Sequence, residues 1–251
     1  MEKRRVANEP AFLLHRRPYT ESSVLIDLFS RHHGRMVLIA KGARKLKSRW
    51  RGALWPFQPL VAAWSGRGEV KTVTGMDGEG SSYGLRGKAL YCGYYMNELV
   101  LRLLYRFDPN EVVFDSYRNA LALLSTEADQ ERVLRIFEKQ LLRDLGYGMH
   151  LVRDADGGSP IDPEQCYRYR PDAGPLQYSD TDGNGNGVRV HGTTLLALEE
   201  EIEFDERTRR ESKRLIRSVL DYHLGGKALR TRIIYGQMFP SESGQKRIVS
   251  D

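Results

Sequence analysis

Cysteine is almost missing from this chain. Its 251 residues include only Cys92 and Cys166. That excludes a disulfide scaffold and a four-cysteine metal site, and fits a reducing compartment. Long apolar runs are missing too: no stretch reaches the 18 residues of a membrane-spanning segment, and mean hydropathy is -0.52. The opening Met1-Glu2-Lys3-Arg4-Arg5 leads into charged sequence, without the apolar stretch and small-residue cleavage site of a secretory signal. A cytoplasmic protein with no membrane partner is expected. Enzyme signatures are also lacking. There is no G-x-x-x-x-G-K-[ST], no H-E-x-x-H, no G-x-S-x-G and no strand-linked G-x-G-x-x-G. The reading is therefore a non-enzymatic protein with no cofactor. A metal-dependent nuclease built on convergent carboxylates stays open as an alternative.

What the chain has is positive charge, unevenly placed. The net charge is +6. Residues 1–80 hold 15 Lys/Arg against 7 Asp/Glu, a balance of +8, and residues 81–251 balance at -2. A first third built to meet an anion, most often nucleic acid, accounts for that asymmetry.

Hydrophobic patterning divides the chain. Ala11–His15, Ser23–Phe29, Arg35–Ala40, Leu60–Trp64 and Glu69–Val73 read as five short strands, which suits a small barrel. Glycines crowd residues 76–88, taken as the boundary between a domain at 1–80 and one at 81–251. Helical periodicity follows over 88–104, Val112–Leu124 and Asp129–Leu145. Residues 150–192 are loop-rich, with Tyr167–Tyr169 and Val188–Val190 as short strands that pair. Helix returns over Thr194–Leu224, broken near Phe204-Asp205 and capped by Gly225-Gly226. The fold class is α+β: a five-stranded barrel followed by a helical domain. Ser241–Asp251 reads as a loose polar end.

The densest charge follows the third strand. Lys41, Arg44, Lys45, Lys47, Arg49 and Arg51 put six cations into eleven residues with no acid among them. Such a loop can lie along a phosphate backbone and release its counterions. Trp50 and Tyr19, where exposed, would stack on bases.

Arg17-Pro18-Tyr19-Thr20-Glu21-Ser22-Ser23, Gly34-Arg35, Ala40-Lys41-Gly42-Ala43-Arg44, Leu54-Trp55-Pro56-Phe57 and Gly66-Arg67-Gly68-Glu69 carry a resemblance to the RecO family of bacterial recombination mediators. It continues through Asn97-Glu98-Leu99, Arg135-Ile136-Phe137-Glu138 with Leu141-Leu142, and Leu145-Gly146-Tyr147-Gly148, and ends in Leu224-Gly225-Gly226-Lys227-Ala228-Leu229-Arg230-Thr231-Arg232. It covers nearly the whole chain in order. It implies an OB-fold barrel, then helices with a small zinc-ribbon-like insertion at about 150–192. It also implies binding of single- and double-stranded DNA and annealing of strands coated by single-strand DNA-binding protein (SSB). Joint action with RecR to help load RecA, and a nucleoid-associated location, belong to the same expectation. An RNA-binding OB-fold factor would share the basic loop and is the nearer alternative.

On this reading the DNA-binding candidates are Arg17, Tyr19, Arg35, Lys71 and the loop from Lys41 to Arg51, with Lys227, Arg230 and Arg232 extending the face. The basic residues from Arg207 to Arg217 are weaker candidates, because acids intermingle with them. The resemblance also implies that the helical part receives the acidic, apolar SSB tail. Arg132, Arg135, Lys139 and Arg143 recur every three or four residues along one stripe, expected largely away from the apolar face, and Arg135 is the first choice. A zinc site lacks its ligands, since only Cys166, His150 and His191 are at hand, and a degenerate, metal-free insertion is expected. Asp180–Gly185 matches half an EF-hand loop, but its twelfth position is His191, so a turn between strands is the better account. Of Tyr91, Tyr94 and Tyr95 at least two are expected in the core, and Cys92 is read as a buried thiol.

Overall fold

Short runs rich in β-branched and other large apolar residues make the first five segments strands, and their inward faces make them close on one another. In the computed structural model, which describes residues 5–126, 128–178 and 186–239, these strands are β1 (Arg5–Pro18), β2 (Val24–Ser30), β3 (Gly34–Ala40), β4 (Leu60–Ser65) and β5 (Val70–Gly78). They form a closed barrel in the order β1-β2-β3-β5-β4. All pairs are antiparallel except β3 with β5. This is the closed Greek-key arrangement of an OB-fold. Closure depends on the length of β1. Its 14 residues pair with β2 along one half and β4 along the other, with irregularities at Leu13/His15 and Val6/Glu9 that let the strand bend. Inside lie Ile26, Leu28, Leu38, Leu60, Ala62 and Trp64.

Part of the barrel's outer face is buried as well. Phe12 and Phe29 stack edge-on or tilted against Phe114 and Tyr117, with ring centroids 5.1–5.9 Å apart. Each such pair adds about 1 kcal/mol beyond its area. Phe114 and Tyr117 sit on α2 (Glu111–Thr126), which follows α1 (Gly87–Leu103). Asn97 of α1 ties these layers together. It donates to Leu14 O at 2.9 Å and accepts from the Tyr117 hydroxyl at 2.5 Å. Burial pushes the Tyr117 phenol well above its ordinary value. Gly34 opens β3 because no side chain fits there. Its φ is +68°, and a Cβ would lie 2.2 Å from Asp108 O.

The chain divides into two compact units, Met1–Thr126 with Ala228–Asp251, and Glu127–Lys227. The first holds the barrel, α1, α2 and a further helix, α6 (Arg230–Met238). Helix α6 buries none of its own residues, so no apolar period marks it in the sequence. Its N-terminus is capped from α1. The Glu98 carboxylate accepts from Arg230 N and Thr231 N at 2.9 Å and from Thr231 Oγ1 at 2.7 Å. Burial alone would raise Glu98, but these donors and nearby Arg102 hold it below its ordinary 4.5.

The second unit holds α3 (Gln130–Asp144), α4 (Gly192–Glu200), α5 (Glu206–His223) and a three-stranded sheet. That sheet comprises β6 (Cys166–Arg170), β7 (Gly174–Gln177) and β8 (Val188–His191) in the order β7-β6-β8. Tyr167 pairs with Val190 and Tyr169 with Val188. Strand β7, with its Gly174-Pro175 start, lacks the alternation that would mark it in the sequence. The Asp180–Gly185 turn and the Ser241–Asp251 end lie outside the described residues. Among the described residues no group of three or more His, Cys, Asp or Glu could hold a metal. None of their helices is long and apolar enough to cross a membrane.

Candidate nucleic-acid interface

The segment between β3 and β4 is a loop of hydrogen-bonded turns with two sides. Lys45 N donates to Gly42 O, Ser48 N to Lys45 O, Arg51 N to Ser48 O, and Leu54 N to Trp50 O. The apolar side enters the barrel: Trp50, Ala53 and Leu54 belong to the barrel's own core, and Ala43 packs against it. The polar side keeps Lys41, Arg44, Lys45, Lys47, Arg49 and Arg51 exposed. The loop is fastened to the β1–β2 turn, since Arg44 N donates to Ser22 O at 3.0 Å and Arg44 Nη1 to Thr20 O at 2.8 Å. That brings exposed Tyr19 beside the loop. Within the loop's whole run of cations the structure records no carboxylate partner among the described residues, so their charges face solvent.

Trp50 requires a correction. It is only 3% exposed, and its Nε1 donates to Lys41 O at 2.8 Å. The Arg49 guanidinium covers the ring, 4.0 Å from its centroid. It anchors the loop and cannot stack on a base. Tyr19, 56% exposed, retains that possibility. Trp55, 57% exposed with the Arg16 guanidinium 5.9 Å from its ring centroid, is an aromatic residue that the sequence reading missed. Its signal was its place between Leu54 and Phe57, two apolar residues that turn inward and leave it on the outside.

The other DNA-binding candidates scatter. Arg17 is exposed and lies 3.6 Å from Asp27. Arg35 is half-buried. It donates from Nε to Leu104 O, the C-cap of α1, and lies 3.8 Å from Asp27, so it acts as a cation at a helix C-terminus. Burial lowers it from its ordinary value, against the pull of Asp27. Lys71 is half-buried in a separate cavity of about 230 Å³ with His33, Trp64 and Phe107, its Nζ 5.7 Å from the Phe107 ring centroid. Arg232 is half-buried against Tyr95, 5.6 Å from the ring centroid. Arg230 is exposed, and Lys227 is exposed in the other compact unit. Of the three tyrosines on α1 only Tyr95 is buried. Tyr94 packs edge-on against Phe57 but stays exposed, and half-buried Tyr91 meets Tyr235 and Phe239. Cys92 is a buried thiol outside any disulfide.

Comparison with known proteins bears on this barrel and its loop directly. Residues 3–81 match the family model described as Recombination protein O N terminal, and residues 85–233 match Recombination protein O C terminal. The chain belongs to the RecO family. It is 44% identical to the DNA repair protein RecO of Dechloromonas aromatica over 93% of this chain and 97% of that one. It is 43% identical to that of Methylococcus capsulatus over 92% and 93%, and 44% identical to that of Coxiella burnetii over 91% and 97%. A role in DNA repair and recombination follows from the family.

On α3, where the RecO resemblance places the SSB tail, the structure corrects the expected stripe. Arg135 and Lys139 do not lie away from the apolar face but are buried, 5% and 7% exposed. Arg135 grips Glu138 of its own helix, with Nε and Nη2 each 2.9 Å from a carboxylate oxygen. Lys139 Nζ donates to Leu198 O at 2.8 Å and Glu199 O at 2.9 Å, and meets the Glu201 carboxylate at 2.9 Å. Arg132 donates to Glu201 O and Ile202 O. For Arg132 and Lys139 the cause is the C-terminus of α4. Its last carbonyls have no partner within the helix and carry the negative end of its dipole, so cations from α3 satisfy them. Only Arg143 of the four is exposed, 3.3 Å from Asp144. On α5, Arg209 pairs with Asp129 at 2.8 Å and Lys213 with Glu131 at 2.5 Å. Those charges too are answered within the unit.

The sparse zinc ligands are used otherwise. His191 Nδ1 lies 2.7 Å from Glu211 Oε1, and Glu211 also accepts from His191 N and Thr194 Oγ1. Burial would raise Glu211, but these donors hold it below its ordinary 4.5.

Proposed function

We propose that the chain binds single- and double-stranded DNA through the barrel mouth and anneals complementary strands coated by SSB, acting with RecR to help load RecA. One observation carries this: six cations stand on the outer side of a loop whose inner side is part of the barrel core. A row of charge with no carboxylate partner among the described residues accumulates two polyanionic strands and offsets their repulsion, so that complementary bases meet more often. Base pairing supplies the sequence specificity, and the protein need not read bases. Family membership supports the recombination setting, and with it a cytoplasmic, nucleoid-associated location and a mediator without catalysis of its own. Docking on the SSB tail belongs to the same reading. Arg143 is the member of the α3 row left exposed for it, and Arg132, Arg135 and Lys139 would serve it by shaping the surface.

The test is annealing of complementary oligonucleotides precoated with SSB, with its tail intact or removed. The expected result is acceleration that falls as salt rises and that needs the tail. No acceleration at low or moderate salt would overturn the reading.

A further inference from the structure

A tryptophan with more than half its surface in water needs a reason, because burying such a ring is among the most favourable events in folding. Trp55 is held in that state by its neighbours. Leu54 before it is in the barrel core, and Phe57 after it is 2% exposed. Pro56 between them keeps the backbone at Trp55 extended. The chain is pinned on both sides while the indole points outward. The Arg16 guanidinium lies over the indole, 5.9 Å from its centroid. Among the described residues no aromatic ring packs on Trp55 and no carboxylate pairs with Arg16. The indole thus carries a cation on one side and presents apolar surface beside the loop's row of charge.

We propose that Trp55, backed by Arg16, is a base-stacking site that lets the barrel mouth hold unpaired strands more tightly than duplex. The inference rests on the reading of this mouth as a DNA surface and names what that surface distinguishes. Every unpaired base offers a π-face to an indole, whereas bases in a duplex are already stacked on each other. Phosphates of either form meet Lys41–Arg51 alike. An annealing surface with this addition releases its product more readily than it releases its two substrates, because pairing removes the bases from Trp55.

The test compares binding of a fluorescently labelled thymine oligonucleotide and a duplex of equal length to the full chain, for wild type, Trp55→Ala, Trp55→Phe and Arg16→Ala. Trp55→Ala is expected to weaken single-strand binding about tenfold and duplex binding less than twofold, with Trp55→Phe between it and wild type. Arg16→Ala should weaken both forms and the single strand more. Indole fluorescence gives a second readout. Trp50 and Trp64 are buried, so quenching by the oligonucleotide should vanish in Trp55→Ala. Equal losses for both forms, or no loss for either with quenching retained, would overturn the stacking site while leaving the DNA surface intact. A wild-type chain that binds neither form at low salt would overturn both. Unchanged circular dichroism separates these outcomes from misfolding.

Discussion

Two rows of cations in this chain, six over Lys41–Arg51 and four over Arg132–Arg143, have opposite fates. On the loop after β3 the charges point to water because the apolar residues between them are pulled into the barrel. On α3, Arg132 and Lys139 turn to the carbonyl end of α4, and Arg135 is taken by Glu138 of its own helix. A run of cations in a sequence therefore does not by itself show that they are available. What decides is whether acceptors within the fold reach the cations first.

The largest expected effect probes the internal row. Arg135→Met removes the guanidinium that meets the buried Glu138 carboxylate at 2.9 Å and should destabilise the chain by about 4 kcal/mol. Urea unfolding measures this. Replacing both residues with apolar side chains should recover most of the loss, and DNA affinity should move in neither variant. Next comes the anchor of the external row. Trp50→Ala removes a core side chain and should cost about 3 kcal/mol. It should also flatten the salt dependence of DNA binding, because the cations lose their common platform. If affinity and salt slope survive unchanged, the platform is not what organises the charge.

A smaller effect, confined to binding, is expected from Lys45→Gln, Lys47→Gln and Arg49→Gln together. Stability should change by under about 0.5 kcal/mol per site. On single strands the slope of log affinity against log salt should fall by about 0.7 for each phosphate that is no longer neutralised. The last prediction concerns pH. Glu98 and Glu211 are held below 4.5 in the folded chain. Their contribution is complete above the unfolded value near 4.5 and is lost as pH falls through the lower folded values. Thermal scans from pH 6 to 3 should show the decline, and Glu211→Gln should show a shallower one.

Short apolar runs of strand length, bounded by polar connections with glycine, made the barrel legible even though β2 and β3 are buried almost throughout and do not alternate. The first three helices were legible from their own period. Trp50 was harder. An aromatic residue at the end of a basic run reads equally as exposed or buried. Only Ala53 and Leu54, three and four positions later, marked a one-sided turn. Arg135 and Lys139 were misplaced because a helix packed on more than one side has no solvent stripe, and nothing in α3 itself announces that α4 ends against it. Glu138, three residues after Arg135, was the available sign. Helix α6 was invisible because it buries nothing of its own and depends on Glu98, 132 positions away from Arg230.

The Glu98 cap also bears on how the chain is made. The first compact unit is not continuous in sequence, because residues 127–227 intervene before Ala228 rejoins it. A ribosome releasing the chain from its N-terminus presents the barrel, α1 and α2 long before α6 emerges. During that interval the Glu98 carboxylate faces α1's surroundings without the amides it will later cap. The unit that carries the basic loop is thus completed last, by a segment synthesised after the whole second unit.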